Sequence, residues 1–510
     1  MNFTFKTKII IFFLLYIVFR FAIFNINSAE WGDSYRILRA TNFIENFSYP
    51  KDEKRPPLFS AFLVLIPNNI DPIFGGRILM VFVSVLTVYL FYILINSINV
   101  KFSENEKLLS VILFALNPLF VYWSMRIYAD TFFLMLCLLA FIIYFKHQKS
   151  PSYLKLTLLS LVCFFGIMTR FEGYILLSSL VLAFIFEFIK NRDFKIFSQL
   201  FFFLFIGFSL FIWAINTPWT FFKNPISSSY VDEANRRVVG LFDILGFFMH
   251  VLFVLGNFFA FYFVLFDRKK LFQFVQENIS LIVFLIIELL LAFAWPAAVP
   301  RLLVQIVPIL IILMVLGLQS FKEVKVIPFK LIFPLGIFIY VFGQYLVKSQ
   351  FLLTNYYFML VLVLISLIQV YFMFKKKFNH FIFSLVLGVI LWMSFFVYLH
   401  KDIYKVLNTG VTYFSKEYKN DGIIVTNDVS YLTKFYFGDN LKYLRQVDFG
   451  IDIEKLLRDR NAKYIIVTNE HNPDMKYTPS KYSYLETIYE YREIVNGREF
   501  FVVISKVKLQ

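Results

Sequence analysis

Residues 8–40 read KIIIFFLLYIVFRFAIFNINSAEWGDSYRILRA. The first part is an apolar run of the length a helix needs to cross a bilayer, which is about 20 residues for ~30 Å of hydrocarbon. Two carboxylates, Glu30 and Asp33, follow at the start of a segment with helical periodicity. The stretch therefore predicts a membrane crossing that delivers acidic side chains to the membrane surface.

Apolar runs of this kind recur through most of the chain. Hydrophobic residues make up 59% of the 510 residues, before glycine is counted, whereas soluble proteins contain roughly 45 to 50% with glycine included. This composition excludes an ordinary soluble globular protein. We count about thirteen possible crossings, near residues 8–25, 73–96, 108–124, 131–145, 156–169, 174–190, 197–216, 244–266, 279–296, 302–318, 331–347, 353–374 and 381–399.

The distribution of Lys and Arg over the short loops predicts the orientation. With the N-terminus inside, the cytoplasmic loops hold 19 of these cations and the opposite loops hold 7, as expected when positive residues stay in the cytoplasm. An odd number of crossings then places the C-terminal residues outside. We therefore expect a multi-pass protein of the plasma (cell) membrane.

The first segment has an alternative interpretation as a cleaved secretory signal. Lys6 and Lys8 precede the apolar run, and Asn27-Ser28-Ala29 is a possible cleavage context. Arg20 is unusual in the apolar region of a signal, however, and the remaining segments alternate correctly without cleavage. A first crossing is the better prediction.

The last part of the chain differs in composition. Residues 401–510 contain 17 Lys/Arg and 15 Asp/Glu, so the net charge of +16 belongs mainly to the membrane part and does not indicate a nucleic-acid partner. Apolar strands are predicted at 423–426 and 464–468, and a hairpin through Asn496-Gly497. We expect a transmembrane domain over 1–399 and a small extracytoplasmic α/β domain over 400–510.

Two outer loops are long, residues 26–72 and 217–240. The first contains Asp33 and, later, Arg55-Pro56-Pro57-Leu58. Further short motifs follow on the same side: Asn117-Pro118 to Ser124 with Asp130, Met168 to Gly173, Lys223-Asn224-Pro225 to Tyr230, and Pro300-Arg301-Leu302-Leu303 with Pro308.

The joint order of these motifs resembles the GT-C superfamily of polytopic glycosyltransferases. The closer likeness is to the bacterial and archaeal relatives of protein O-mannosyltransferases and of the aminoarabinose transferase. It covers nearly the whole chain. Many members have adjacent acids or Asp-x-Asp in the first loop, whereas Ser34 follows Asp33 here, and a metal-bound mechanism is for that reason less expected.

The resemblance implies the helical GT-C fold and an enzyme that transfers a sugar, such as a mannosyl or other hexosyl group. The donor would be a polyprenyl- or dolichyl-phosphate sugar and the acceptor a lipid, glycan or protein at the outer face. No cofactor is predicted, and a divalent metal ion stays an open alternative. The residues expected to act are Asp33 and Asp130 as catalytic carboxylates, Arg301, Arg170 and Arg126 as phosphate ligands, and Glu172, Arg55 and Tyr35 in support.

Each of these residues also has a purely structural interpretation. Asp33 and Asp130 stand where helix N-caps would stand, and Arg301 at the end of a crossing could extend to lipid headgroups. Arg170 and Glu172 could form a loop ion pair. Glu288 is an acid deep in a predicted crossing, which is a functional hypothesis by default, although the sequence names no partner for it.

Two other classes of function remain. A transporter or flippase for a lipid-linked sugar would also use cations for phosphate, but such proteins usually contain internal repeats and matching interrupted helices, and we find neither. A scaffold or sensor would hardly need thirteen crossings. The aromatic residues Trp219, Phe221 and Phe222 in the second long loop are equally consistent with a sugar-covering surface and with an interfacial belt.

Overall fold

The computed structural model describes residues 4–216, 268–294, 300–323, 377–418, 422–444 and 453–508, except 51 and 54, with nine further residues between 361 and 375. Predictions about the second long loop, including Lys223 to Tyr230, and about the crossings near 244–266 and 331–347 lie outside these residues. The crossing near 353–374 lies largely outside them.

Helices dominate the chain up to His400. Their bounds are α1 Phe5–Ile23, α2 Gly32–Ile44, α3 Leu58–Leu63, α4 Pro72–Ser97, α5 Glu104–Ala115, α6 Pro118–Ser124, α7 Ala129–Lys149, α8 Tyr153–Thr169, α9 Gly173–Asn191, α10 Phe194–Asn216, α11 Arg268–Glu277, α12 Ile279–Ala294, a 3-10 helix Pro300–Ile306, α13 Val307–Glu323 and α14 Phe378–His400. Ten of the thirteen predicted crossings fall within the described ranges, and all ten are helical.

Six helices of the described ranges are long and apolar enough to cross a membrane: α4, α7, α9, α10, Arg301–Gln319 and α14. Two bent pairs, α5 with α6 and α11 with α12, pass the same test when each is taken as one span, which raises the number to eight. The chain is thus built as a multi-pass membrane protein. Arg301–Gln319 and α7 are the most deeply buried of the six, at 94% and 78% of their apolar stretches.

The C-terminal part is a layered α/β structure. Its elements are α15 Lys405–Glu417, β1 Ile423–Thr426, α16 Leu432–Phe437, β2 Leu441–Tyr443, α17 Ile453–Asp459, β3 Ala462–Thr468, β4 Leu485–Val495 and β5 Arg498–Val507. The sheet has the order β2-β1-β3-β5-β4. Strand β1 is parallel to β2 and β3, whereas β5 is antiparallel to β3 and β4.

The hairpin between β4 and β5 turns where its sequence predicts. Asn496 and Gly497 both have positive φ, 51° and 80°, as a two-residue type I′ turn requires. Asn tolerates this backbone region better than most side chains, and Gly adopts it freely. The short strand β2 was not predicted, because three residues are too few to show an alternating pattern.

The α/β part packs directly on the first long loop, residues 26–72. Tyr35 of α2 is 1% exposed and belongs to the same apolar core as Val406, Leu407 and Leu432. At Gly32 the backbones approach so closely that an added Cβ would lie 2.2 Å from the carbonyl oxygen of Ser430. Only glycine fits there, so the position of α2 is set by the α/β part as well as by the helical bundle.

Candidate active site

Six separate segments of the chain converge on one cavity of about 230 Å³. They are α2, the residues just before α3, the α6–α7 loop with the start of α7, the α8–α9 loop with the flanking helix ends, helix α12 and the 3-10 helix. The charged or hydroxyl-bearing side chains that line it include Arg55, Tyr128, Asp130, Arg170, Glu172 and Arg301. Motifs that are far apart in sequence therefore come together at one end of the bundle.

Asp33 lies beside this cavity and is held by two of its arginines. Nη1 of Arg301 donates to Oδ2 of Asp33 at 2.8 Å, and Arg55 forms an ion pair with Oδ1. The Asp33 side chain is 28% exposed. Burial alone would raise its pKa, but the guanidinium groups of Arg55 and Arg301 outweigh burial and hold the pKa of Asp33 well below its usual range. The carboxylate is therefore ionised at any ordinary pH.

The charged side chains form an alternating series that we call the ionic chain. Its members, in spatial order, are Arg36, Glu53, Arg55, Asp33, Arg301, Asp130, Arg170 and Glu172.

Within the ionic chain, Asp130 is fully buried and contacts two arginines. Its Oδ1 lies 2.7 Å from Nη1 of Arg170 and 3.7 Å from Nε of Arg301. Arg170 also pairs with Glu172. The pKa of Glu172 is raised by burial but lowered further by Arg170, so that it lies below its ordinary value. Every guanidinium that faces the cavity is thus shared between carboxylates.

The interpretation of Asp33 and Asp130 as helix caps is wrong. Helix α2 begins after Trp31 and helix α7 after Tyr128, so each aspartate lies inside the first helical turn. A carboxylate there is favoured by the helix dipole, but neither side chain caps its helix. Both carboxylates face arginines instead. Arg301 likewise forms ion pairs in the cavity, with 21% of its side chain exposed.

Glu30, the first carboxylate after α1, makes contacts that connect parts of the fold to one another. It is fully buried, lies 2.7 Å from Nε of Arg77 on α4, and accepts hydrogen bonds from Ser34 and from the backbone of Ile127. These contacts fasten the beginning of α2 to α4 and to the α6–α7 loop. They set the relative positions of Asp33 and Asp130.

Two predicted residues do not reach the cavity. Arg126 is fully buried and donates to the carbonyl oxygens of Ala29 at 3.1 Å and His400 at 3.0 Å. It joins the start of the first loop to the α6–α7 loop and the end of α14. Tyr35 accepts a hydrogen bond from the backbone of Glu30 and is buried against the α/β part.

The fold matches solved membrane enzymes over nearly its whole length. ArnT from Cupriavidus metallidurans bound to undecaprenyl phosphate is similar with a TM-score of 0.62, at 12% identity, over 98% of both chains. The chain has the GT-C fold.

Two further solved structures have the same GT-C fold. The apo state of the same ArnT has a TM-score of 0.61 at 12% identity, covering 96% of this chain and 97% of that one. The archaeal oligosaccharyltransferase AglB from Archaeoglobus fulgidus, in complex with an inhibitory peptide and a dolichol-phosphate, has a TM-score of 0.51 at 11% identity, covering 98% of this chain and 74% of that one. No protein-family model matches the sequence. A search of curated proteins also found no match.

A second cavity of the GT-C bundle lies next to the first. It has a volume of about 370 Å³, lies between α8, α9 and α10, and is lined almost entirely by apolar side chains. Ile167 and Tyr174 line it, while Thr169 and Ile175 line the first cavity. At Gly207 on α10 an added Cβ would meet no atom of the described residues within 4 Å. A charged cavity thus adjoins an apolar one within the bundle.

Glu288 on α12 is 2% exposed, and the described residues provide no hydrogen-bond partner for its Oε1. Leu291, one turn further along the same helix, lines the charged cavity. Arg170 and Glu172 act electrostatically on Glu288. Glu288 thus lies near the buried end of the ionic chain, where Glu172 repels its charged form and Arg170 attracts it.

Sequence reasoning missed Glu53 and Tyr128. Glu53 lies in a polar loop beside Asp52, and only its two arginine contacts distinguish it. Tyr128 lies under Arg301, with the guanidinium carbon 5.1 Å from its ring centre. The feature of the sequence that could have identified Tyr128 is its position between two motif residues, Arg126 and Asp130. In the part of the chain that the structure describes, no group of three or more His, Cys, Asp or Glu side chains is arranged to hold a metal ion.

Proposed function

We propose that this chain is a membrane glycosyltransferase that moves a sugar from a polyprenyl- or dolichyl-phosphate carrier to an acceptor at the outer face of the membrane. The observation that carries the proposal is the contact between Asp33 and the two arginines, Arg55 and Arg301, beside a single cavity. A base and an anion-binding pair are thus in direct contact. The reaction requires both groups.

The donor phosphate would bind to the arginines of the ionic chain. A guanidinium presents a planar set of donors that matches phosphate oxygens in a bidentate manner. Arg301 already has Asp33 on one side and Asp130 on the other, so its donors face the cavity from a fixed position. ArnT and AglB, which share the fold, have been solved with undecaprenyl phosphate and dolichol-phosphate respectively.

The carrier's hydrocarbon tail would occupy the apolar cavity between α8, α9 and α10. Phosphate and tail are covalently joined, so a donor needs a charged region and an apolar region side by side. The two cavities provide this arrangement, since residues that are neighbours along α8 and α9 line one or the other. The open space beside Gly207 adds to the room for the tail.

Asp33 would act as the general base. The acceptor hydroxyl oxygen forms a bond to the anomeric carbon, the bond from that carbon to the phosphate oxygen breaks, and the phosphate leaves with the electron pair. Asp33 takes the hydroxyl proton, a contribution of typically about 10²- to 10⁴-fold. Because phosphate is a good leaving group, a second carboxylate is not needed to protonate it.

Binding of the donor would also make Asp33 a stronger base. While Arg55 and Arg301 pair with Asp33, they hold its pKa low and its affinity for a proton is weak. A phosphate that takes over these guanidinium groups removes their influence, and the pKa of Asp33 then rises toward that of an ordinary carboxyl group. The base would gain strength only when a donor is bound.

The test is to incubate the purified protein with a panel of polyprenyl-phosphate sugars and candidate acceptors. Formation of free polyprenyl phosphate together with a glycosylated acceptor is expected for at least one sugar. A flippase would move the intact donor across vesicle membranes and release no polyprenyl phosphate. That result would overturn the proposal.

A further inference from the structure

Two adjacent carboxylates in the first outer loop, Asp52 and Glu53, contact different parts of the molecule. Glu53 faces the arginines of the ionic chain. Asp52 faces the α/β part, where its Oδ2 lies 3.1 Å from Nζ of Lys434 on α16. Neither residue belongs to a helix or strand. The two contacts therefore depend on one short piece of loop.

Glu53 is held between two guanidinium groups. Its Oε2 lies 3.1 Å from Nε of Arg36, and its Oε1 lies 3.1 Å from Nη1 of Arg55 and accepts the backbone N–H of Arg55 at 3.0 Å. The side chain of Glu53 is only 2% exposed. A carboxylate buried between two cations loses little of its attraction to solvent screening. Glu53 thus contacts the Arg55 side chain through a second carboxylate, besides that of Asp33, and constrains its direction.

The α/β part contacts the same loop through Lys434 and contacts α2 through Tyr431. Lys434 pairs with Asp52, and Asp52 also pairs with Arg39 of α2. The guanidinium carbon of Arg36 lies 4.4 Å from the ring centre of Tyr431, which is in the loop that follows β1. Arg36 in turn donates to the backbone oxygen of Asp52 at 2.7 Å. These contacts hold the loop between α2 and α16.

We propose that Glu53 is a positioning residue that keeps Arg55 directed at Asp33, and that the Asp52–Lys434 contact makes the α/β part a component of the active site. The inference rests on the proposed function, because it concerns the arginine that would bind the donor phosphate. A free arginine side chain samples many rotamers, and fixing it in advance reduces the entropy lost on binding. The α/β part supplies that fixation from outside the membrane.

The first test replaces Glu53 with Gln, which keeps its size and removes its charge. The KM for donor should rise at least tenfold while kcat falls less than threefold, because Arg55 is displaced and Asp33 is retained. Glu53→Asp keeps the charge but shortens the side chain, and should recover only part of the loss. Equal KM values for wild type and Glu53→Gln, at unchanged thermal stability, would overturn the positioning role.

The second test uses the more exposed contact, so that folding is not in question. Lys434→Gln should raise the KM for donor about threefold and Lys434→Arg should restore it. Arg458→Gln is the control, since it breaks an exposed ion pair with Glu454 within α17 of the same α/β part. If Lys434→Gln and Arg458→Gln behave alike, the α/β part does not take part in the site.

The affinity for undecaprenyl phosphate, measured from the thermal shift that the lipid causes, does not depend on turnover. The affinity should fall in Glu53→Gln and Lys434→Gln by the same factors as the KM changes. A wild type that binds this lipid but transfers no sugar would overturn the proposed function, while the positioning role would still be judged from binding. A wild type that does neither would overturn both.

Discussion

Replacing Asp33 with Asn should change donor binding and turnover in opposite directions. Under the proposed function, a phosphate would have to displace the Asp33 carboxylate from Arg301, where the contact is 2.8 Å, and from Arg55. A charge-assisted hydrogen bond contributes roughly 1.5 to 3 kcal/mol and a neutral one roughly 0.5 to 1.5 kcal/mol. Removing the charge should therefore release about 1 to 2 kcal/mol of competition, so that polyprenyl phosphate binds about 5- to 30-fold more tightly.

Turnover of the Asp33→Asn variant should fall by about 10²- to 10⁴-fold, because the amide cannot take the acceptor proton. The assays are titration of purified protein with polyprenyl phosphate and single-turnover transfer at saturating donor. Asp71→Asn is the matched control: Asp71 caps α4 in the same loop, accepting from Phe74 at 2.8 Å, and Asn caps a helix about as well. It should change neither quantity.

Two results would refute this reasoning. Unchanged or weaker binding of polyprenyl phosphate to Asp33→Asn, with thermal stability preserved, would show that Asp33 and the phosphate do not compete for the same guanidinium groups. Near-normal turnover would move the role of base to Asp130 or Glu172, which lie further along the ionic chain.

Three further changes test other parts of the molecule. Arg301→Ala should weaken donor binding about 10- to 150-fold, since a lost bond of roughly 1.5 to 3 kcal/mol is converted at ~1.4 kcal/mol per decade. Arg301→Lys should restore only part of this affinity. Equal activity of the wild type and Arg301→Lys in a donor titration would favour a headgroup anchor. Gly207→Leu should fill the apolar cavity and raise the KM for long-chain donors more than for short-chain ones. Ser209→Leu, on the exposed face of the same helix, should not. Equal effects of the two variants would show that the donor tail does not bind in this cavity. Burial raises the pKa of the Glu470 carboxyl group from its ordinary 4.5 to about 7. The neutral form therefore stabilises the folded state fully below pH 4.5, and this contribution to the free energy of unfolding is lost as the pH rises through 7. Glu470→Gln should therefore raise the Tm at pH 8 and leave it unchanged at pH 4, relative to the exposed Glu417→Gln; a constant difference at both values would contradict the shift.

The sequence predicts the helices of the membrane part well because hydrophobic length is a local property, although α1 and α8 do not meet the length and composition of a membrane span. Helices lie at all ten predicted crossings within the described ranges, and the Asn496-Gly497 turn closes its hairpin. Local turn chemistry and apolar length do not depend on what packs nearby. The same holds for the order of the motifs, which indicated the GT-C fold.

The site could be predicted only in part, because its geometry depends on contacts between distant segments. Asp33, Asp130, Arg170 and Arg301 come together, but nothing in their local sequence shows that Asp33 pairs with two arginines. Arg126 was assigned to phosphate on residue type, whereas its donors satisfy the backbone carbonyls of Ala29 and His400, which are far apart in the chain. Such pairings are decided by packing, which a single sequence does not display.

The ionic chain contains four guanidinium groups and four carboxylates, so the charges around the cavity cancel. Steering of a charged ligand from a distance requires a surface of predominantly one sign, and the described side chains of the ionic chain do not form one. Capture of a phosphate would begin only at contact, after a lipid carrier has arrived by diffusion within the bilayer. Dissolved sugar phosphates and inorganic phosphate would then gain no electrostatic advantage in the encounter, and the membrane-bound form of the ligand would be selected before any hydrogen bond is made.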